Sequence, residues 1–150
     1  MSAALLLFGL FAFLAAFNAG TMTTLQLQHY GIYPSVGRDG FARYMQANNR
    51  AALLPAILPA MLLLLSSLAL TFTRPRFMSA GEATLMLVLN CAQLASTFVW
   101  QRRLQAEMAL TGYDDAKVKL LLSTNWIRTL AFIVQAIFAT AIVVRALASS

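Results

Sequence analysis

The chain has 150 residues, of which 60% are hydrophobic and only 11% are charged. An ordinary soluble domain is about 25% charged, so this composition excludes a typical soluble protein, and the length allows only one domain. The net charge of +6 does not indicate nucleic-acid binding, because the basic residues are scattered near the ends of apolar runs, where they would meet lipid headgroups. The single cysteine, Cys91, excludes an intrachain disulfide and a dithiol redox site within this chain.

Four apolar runs are each close to the ~20 residues that a helix needs to cross a bilayer. The runs at 3–27, 51–72 and 83–101 contain no charged residue and no histidine, and the run at 120–144 contains one charge, Arg128. We therefore predict an all-α fold, a membrane four-helix bundle in which residues 1–150 form a single domain. A buried soluble bundle is the alternative, and four consecutive runs of this length argue against it.

The first helix should extend from about residue 3 to 28, followed by a loop at 29–40 whose glycines and Pro34 break helices. Tyr30 and Tyr33 in this loop suit the membrane–water boundary. A signal peptide is the alternative interpretation of the first run. It is disfavoured because no Lys or Arg precedes the apolar stretch and polar residues 21–24 continue the helical pattern.

The second helix can extend over 41–72. Pro55 and Pro59 lie four residues apart within it. Each proline removes a backbone donor and crowds the carbonyl four residues earlier, so we expect a bend at this point.

The third helix can extend over 81–110, where Gly112 supplies a stop. Asp114 or Asp115 can cap the fourth helix, which continues to about residue 148. At 1.5 Å per residue, helices of this length exceed the hydrocarbon thickness. We therefore expect the helices to protrude on one side of the bundle.

Each apolar run carries uncharged amides or an arginine at one end, and in a four-span bundle it is the same end each time. Polar groups that face hydrocarbon without partners cost several kcal/mol each, roughly, so we expect these side chains to turn inward and meet around a shared cavity. In the alternative, amides only bind one helix to another, and this stays open for Asn18, Asn90, Gln93 and Gln135. The residues at the polar end are Gln26 and Gln28, then Asn48, Asn49 and Arg50, then Gln101 and Gln105, and finally Asn125 and Arg128.

Arg128 and His29 are the candidates for chemistry. An arginine within a span costs roughly 2.5 to 3.5 kcal/mol on insertion scales and usually faces an interior. No carboxylate lies within any run, so its partners should be amides, a carbonyl or an anionic ligand, unless it snorkels to the boundary. His29, the only histidine, is either a boundary residue or a base at the cavity mouth. One histidine and one mid-run cysteine form no recognisable metal-ligand set, so we predict no metal.

Three short motifs resemble those of the anthrone oxygenase-like family, whose members are small four-span membrane proteins, mostly of unknown function. Met45-Gln46-Ala47-Asn48-Asn49, followed by Pro55, resembles its Met-Gln-x-x-Asn…Pro signature at the start of the second span. Tyr33-Pro34 resembles its proline-containing loop after the first span. Asn125-Trp126-Ile127-Arg128 resembles its Trp/Asn-x-x-Arg pattern at the start of the fourth span. The order and spacing of the spans agree over nearly the whole chain.

The resemblance implies oxidation of an anthrone to an anthraquinone without a metal or flavin, so no cofactor is expected. A base would remove an acidic ring C–H, and cationic or amide donors would stabilise the oxyanion. The resemblance maps His29 as the base and Arg128 and Arg50 as charge stabilisers. Helical spacing adds further residues to the predicted substrate-binding surface. Together with the amide donors, the surface comprises Gln28, Asn49, Arg50, Trp100, Gln101, Gln105 and Asn125.

A second family, the four-span glutathione-handling membrane enzymes, has an Asn, a Glu and a Pro spaced by three in its second span. Asn49 and Pro55 fit this pattern, but Ala52 stands where the thiol-ligand site needs the charge. Three functions therefore stay open. They are a membrane enzyme or binding protein for a small apolar, oxygen-bearing molecule, a non-catalytic assembly or partner subunit, and a transporter.

The distribution of basic residues predicts an orientation. Eight of the 11 Lys and Arg residues lie on the polar-cluster side, and the positive-inside rule places that side in the cytoplasm, in a bacterial inner membrane. The partners that we expect are the lipid bilayer and a small apolar ligand, without nucleic acid, and a homo-oligomer stays open. The other three basic residues are Arg74, Arg76 and Arg145.

Overall fold

Four apolar helical stretches build the molecule in the computed structural model, which describes residues 2–148. They extend over Ala3–Val36, Leu53–Phe72, Ala80–Thr111 and Asp115–Ala148, and each is long and apolar enough to cross a membrane. The predicted all-α helical bundle is confirmed. The chain is accordingly a multi-pass membrane protein, and we call these stretches spans 1 to 4.

Three of the spans contain a π-helical turn, in which hydrogen bonds reach one residue further than in an α-helix. Span 1 is α1 followed by the first π turn, Leu25–His29, and a 3₁₀ segment, Tyr30–Val36. The second π turn, Leu53–Ile57, joins α2 to α3, and the third, Thr97–Gln101, joins α4 to α5. The α-helices are α1 (Ala3–Thr24), α2 (Phe41–Ala51), α3 (Leu58–Phe72), α4 (Ala80–Ser96), α5 (Arg102–Thr111) and α6 (Asp115–Ala148).

The loop predicted at 29–40 is wrong over its first two thirds. The chain stays helical through Val36, with Pro34 inside the 3₁₀ segment, and turns only at Gly37, whose φ is +83°. Tyr30 and Tyr33 are buried within the protein. The reason is that a 3₁₀ segment tolerates proline here while its tyrosines bury their rings in a local core.

The other helix ends follow the predicted signals. Pro55 lies within the second π turn and Pro59 is the second residue of α3, so the α-helix of span 2 is interrupted at the prolines, where we predicted a bend. Gly112 ends α5 with φ +86°. The Asp114 carboxylate accepts hydrogen bonds from the backbone N–H groups of residues 116 and 117 (2.9 and 3.0 Å), which makes Asp114, and not Asp115, the cap of α6.

One end of the bundle has an apolar core between α1, α3, α4 and α6. Large buried side chains and small alanines pack together there. The segment between α3 and α4 closes this end, because Met78 is buried and the centre of the Phe77 ring lies 5.3 Å from that of Phe8, edge-on. Arg145 fastens this segment by donating to Glu82 Oε1 (2.7 Å) and to the Phe77 carbonyl (2.8 Å). We call this part the closed end; its core includes Phe11, Leu63, Leu70, Met86, Phe132 and Ile142.

The opposite end has a second, aromatic core that α2 and α5 form with the 3₁₀ segment and the start of α6. The Tyr33 ring lies at the centre, with its centroid 5.4 Å from those of both Tyr30 and Phe41. Met45 of α2 and Met108 of α5 are fully buried beside it. We call this part the cap end. Between the two cores lie all three π turns.

Candidate functional site

A cavity of about 510 Å³ opens between the two cores and takes its wall from all four spans. Its outer part is apolar, and its inner part carries most of the polar side chains. Residues of all three π turns line it, which matters because π turns occur frequently at functional sites. The polar lining residues are His29, Tyr30, Asn48, Asn49, Asn90, Gln93, Thr97, Gln101, Arg102, Gln105 and Arg128.

Arg128 lies on the inner wall with only 8% of its surface exposed. Its Nε donates to Asn125 Oδ1 (3.1 Å) and its Nη1 to Thr97 Oγ1 (3.1 Å), while Nη2 points at the Met22 sulfur (3.6 Å). The Tyr30 hydroxyl is also close enough to interact with the guanidinium. Because arginine has five N–H donors, these contacts leave donor capacity on the cavity side.

The charge of Arg128 has no carboxylate partner among residues 2–148. The carboxylates that form ion pairs in this part of the chain bind Arg38, Arg103, Lys117 and Arg145, near the helix ends. A guanidinium that is buried without a counter-ion keeps a large desolvation cost, which neutral amide and hydroxyl acceptors offset only in part. The inner wall therefore favours an oxygen atom with a negative or partly negative charge.

A chain of amides fixes Arg128 from behind. Asn125 is fully buried, and its Nδ2 donates to Gln26 Oε1 (2.7 Å), while Gln26 Nε2 donates to the Leu122 carbonyl (3.2 Å). The Thr97 hydroxyl donates to the Gln93 carbonyl (2.8 Å), so its oxygen is free to accept from Arg128. Spans 1, 3 and 4 together therefore hold the guanidinium in one position.

His29 lines the cavity toward the cap end. Its Nε2 lies 2.9 Å from Asn48 Oδ1, and Asn48 Nδ2 donates to the Tyr33 hydroxyl at 3.5 Å. With the amide oxygen facing the ring, Nε2 carries the hydrogen and the neutral imidazole keeps a lone pair on Nδ1. The ring is half-buried and could accept a proton at that nitrogen. Burial raises the pKa of nearby Tyr44 above its usual range, so this phenol stays uncharged beside His29.

Several amides on the side of the closed end form hydrogen bonds with other parts of the protein. Gln93 Nε2 donates to Gln135 Oε1 (3.4 Å), and Gln135 Nε2 donates to the Met86 carbonyl (3.2 Å). Asn18 and Asn90 each donate to a carbonyl of their own helix. The helix-packing alternative accounts for the contacts of Gln93 and Gln135, whereas the bonds of Asn18 and Asn90 lie within one helix.

The structure brings six of the predicted site residues together. His29, Asn49, Gln101, Gln105 and Arg128 line the cavity, and Asn125 supports Arg128 from behind. Gln105 also donates to the Tyr30 hydroxyl (3.3 Å).

Three predicted site residues, Gln28, Arg50 and Trp100, are exposed and take no part in the cavity wall. The prediction that they face inward is wrong. Gln28 and Trp100 lie within π turns, where the angle between successive residues differs from that of an α-helix, so α-helical spacing does not place their side chains. Arg50 belongs to the regular helix α2 and lies on its exposed side.

Gln26 and Asn48 were predicted to turn inward with the polar ends of the runs, but they were not assigned to the substrate-binding surface. Tyr30 and Thr97 were missed as members of the site. A signal for Thr97 was present, since it lies four residues from both Gln93 and Gln101. Tyr30 carried no such signal, because a tyrosine after an apolar run also suits the membrane boundary. No family model, curated protein or solved structure matches the chain.

Proposed function

We propose that the protein binds a small apolar molecule that carries an oxygen, aromatic or quinone-like, with that oxygen against Arg128. The cavity volume of about 510 Å³ falls within the roughly 300–1,000 Å³ of small-molecule sites, which are mostly apolar with a few polar groups that fix orientation. The single observation that carries the proposal is the buried guanidinium with neutral partners alone among the described residues. A carbonyl or phenolate oxygen of the ligand would complete its set of acceptors.

The same site suits a metal-free oxidation of an anthrone by molecular oxygen, as the family resemblance implies. His29 would take a proton from the ring CH₂, and the electron pair would move onto the ring oxygen, where Arg128 stabilises the charge. The ring carbon then adds O₂, and the terminal oxygen of the resulting peroxide takes the proton back from His29 to give a hydroperoxide. Loss of water from the hydroperoxide leaves the quinone carbonyl, so that one O₂ is consumed and one H₂O is released for each anthrone.

The alternative function is a non-catalytic assembly or partner subunit. The contacts that support it are the interhelical amide bonds, such as that between Gln93 and Gln135. It predicts that the cavity is filled by a protein segment or stays empty. A transporter has less support, because a transport path would need an opening at both ends of the cavity. The lining residues end at Leu64 and Asn90, and the core of the closed end follows beyond them.

The orientation that we propose places the cap end in the cytoplasm of a bacterial inner membrane. Its support is the excess of Lys and Arg at that end. Labelling of single cysteines introduced at exposed Arg43 and Arg74, in a Cys91→Ser background, would test it. A membrane-impermeant maleimide should label only the second position in intact cells, and labelling of the first instead would reverse the orientation.

Binding of 1,8-dihydroxyanthraquinone to the protein in lipid nanodiscs tests the ligand proposal. Arg128→Gln should weaken the binding about ten-fold or more, which corresponds to ~1.4 kcal/mol. Arg50→Gln is the matched control, because Arg50 is exposed outside the cavity, and it should change binding by less than about two-fold. Equal affinity of wild type and Arg128→Gln would overturn the proposal.

A second pair of variants covers the case in which Arg128→Gln does not fold. Ala56 lines the cavity, whereas Ala51 is exposed away from it. Ala56→Leu should remove binding by filling the cavity, and Ala51→Leu should leave it intact. For the oxidation, uptake of O₂ with 1,8-dihydroxyanthrone should exceed the spontaneous rate and fall to it in His29→Gln. An unchanged rate in that variant would remove the base from the mechanism but not the ligand from the cavity.

A further inference from the structure

The wall of the cavity changes from polar to apolar in the direction of the lipid. The inner wall carries Arg128 and Gln101, which are 8% and 1% exposed. The outer wall carries Leu53, Ile57 and Phe98, which line the cavity and are nevertheless 56%, 45% and 58% exposed. Side chains that are both lining and exposed mark an opening. The cavity therefore has a mouth on the surface of the bundle that is apolar except at its cap-end corner, where the exposed Arg102 guanidinium lies 5.7 Å from the centre of the Phe98 ring.

The mouth lies between spans 2 and 3. On the closed-end side α3 packs against α4, and on the cap-end side α2 packs against α5. Between these two contacts, the second and third π turns carry the residues of the mouth, Leu53, Ile57 and Phe98. Met61 and Leu94 continue its edges toward the closed end. We call this opening the slot.

We expect the slot to face hydrocarbon, because its edge on span 2, at Leu53, Ile57 and Met61, belongs entirely to the candidate membrane span Leu53–Phe72. Toward the cap end the aromatic core joins α2 to α5, as does the bond from Gln46 Nε2 to the Ala109 carbonyl (3.0 Å). The slot ends at this side with Arg102, which is exposed and lines the cavity. The apolar part of the slot therefore offers the ligand a way in from lipid.

We propose that the ligand reaches the cavity sideways from the bilayer, through the slot, and is an amphiphile with an apolar chain. Its oxygen-bearing ring lies against Arg128, and its chain passes between Ile57 and Phe98 into lipid. This inference rests on the function proposed above and narrows its substrate class to membrane-dissolved molecules such as alkylated quinones. Lipid tails are as apolar as leucine, so an apolar chain gains almost no free energy by moving from lipid into a protein interior. The chain can therefore stay in the slot, in contact with lipid, without a penalty. The ring, in contrast, gains the interaction with the Arg128 guanidinium.

Association kinetics of decylubiquinone with the protein in nanodiscs test the route. Ile57→Trp should narrow the slot and slow association about ten-fold or more. Ile127→Trp is the matched control, since Ile127 is an exposed isoleucine on span 4 outside the cavity, and its association rate should stay within about two-fold of wild type. Both positions face outward, so the fold should survive, and the elution profile in detergent checks that it does. An unchanged rate in Ile57→Trp would overturn the lateral route.

Photocrosslinking tests the position of the chain. A benzoquinone with a diazirine at the end of a short alkyl chain should label the lipids and Ile57, Met61, Leu94 or Phe98, as peptide mass spectrometry would show. Label at Asn48, Asn49 or Gln105 of the cap end would instead place the chain toward water and overturn the proposal.

The two proposals can fail separately. If Arg128→Gln binds decylubiquinone like the wild type, the ligand site itself is wrong. If Arg128→Gln weakens binding while Ile57→Trp leaves the association rate unchanged, the site stands and only the lateral route is wrong.

Discussion

The closed end and the cavity region of this bundle are built from the same four spans in different ways. The closed end uses unbroken α-helices with large buried side chains such as Phe11, Leu70 and Met86, and its polar side chains bond mainly to carbonyls of their own helices. The cavity region has three π turns and a buried guanidinium whose partners come from two other spans as well as from its own. Regular helix packing fills space, whereas interrupted helices leave a hollow and turn polar groups toward it.

A single extra residue in a helix can therefore divide a span into a part that packs regularly and a part that lines a site. A π turn redirects the side chains that follow it without ending the helix. The spans therefore pack as continuous elements at the closed end and still present a different face near Arg128. The predictions below test whether the two regions are separable in this way.

The largest effect should come from single-residue deletions, which distinguish an α-helix from a π turn. Val88 lies on the exposed side of regular α4, and its deletion rotates every later residue by about 100°. We expect this variant not to fold. Trp100 lies within the third π turn, where deletion can restore an α-helical turn without changing the register on either side. That variant should fold and lose ligand binding.

Circular dichroism and size-exclusion chromatography would compare the two deletions. If both variants are equally unstable, the π turn is part of the scaffold, and the division into two regions is wrong.

A smaller effect is expected from truncation of the apolar core. Phe11 is fully buried at the closed end, and Phe13, in the same helix, is 65% exposed. Phe11→Ala should lower the free energy of unfolding by about 3 kcal/mol, at the low end for such truncations, because an unfolded chain in lipid already surrounds the ring with apolar groups. Phe13→Ala should cost less than about 0.5 kcal/mol.

Unfolding in mixed SDS micelles would measure this pair, together with binding of 1,8-dihydroxyanthraquinone. Under conditions in which it is folded, Phe11→Ala should bind the ligand with the wild-type affinity. A loss of affinity would show that the closed end and the cavity region are coupled.

The smallest effect concerns the amides behind Arg128. Asn125→Leu leaves Arg128 Nε and Gln26 Oε1 without their present partner. It should lower the free energy of unfolding by about 1–2 kcal/mol. Gln26→Leu should cost less, and the double variant should be less destabilised than the sum of the two single variants, since both ends of their bond are then apolar. A double-mutant cycle from unfolding data would measure the coupling, and strict additivity would show that the bond contributes nothing.

The amount of the fold that could be predicted from the sequence depends on how regular each segment is. The four spans, the interruption of the α-helix at Pro55 and the stop at Gly112 follow from hydropathy and from backbone chemistry, both of which are local. The 3₁₀ segment at Tyr30–Val36 was not predictable in this way, because the packing of Tyr33 against Phe41 depends on a helix that comes later in the chain.

The candidate site divides along the same line. Arg128, Asn125 and Gln101 were predicted to turn inward because they follow α-helical spacing and avoid lipid, and all three are buried. Gln28 and Trp100 were misplaced, since both lie within π turns that contain no proline and whose tertiary packing is not recorded in the periodicity. Gln26, and not Gln28, is the buried amide of the first π turn, and it accepts a hydrogen bond from Asn125.

The fastening of the segment between α3 and α4 by Arg145 and Glu82 has a consequence for the two monolayers of the membrane. The bond between Arg145 and Glu82 and the buried Met78 close that end of the bundle. A molecule that reached Arg128 from one leaflet would therefore have to return to the same leaflet. Such a protein would exchange its contents with half of the bilayer only, and it would leave the composition of the other half unchanged.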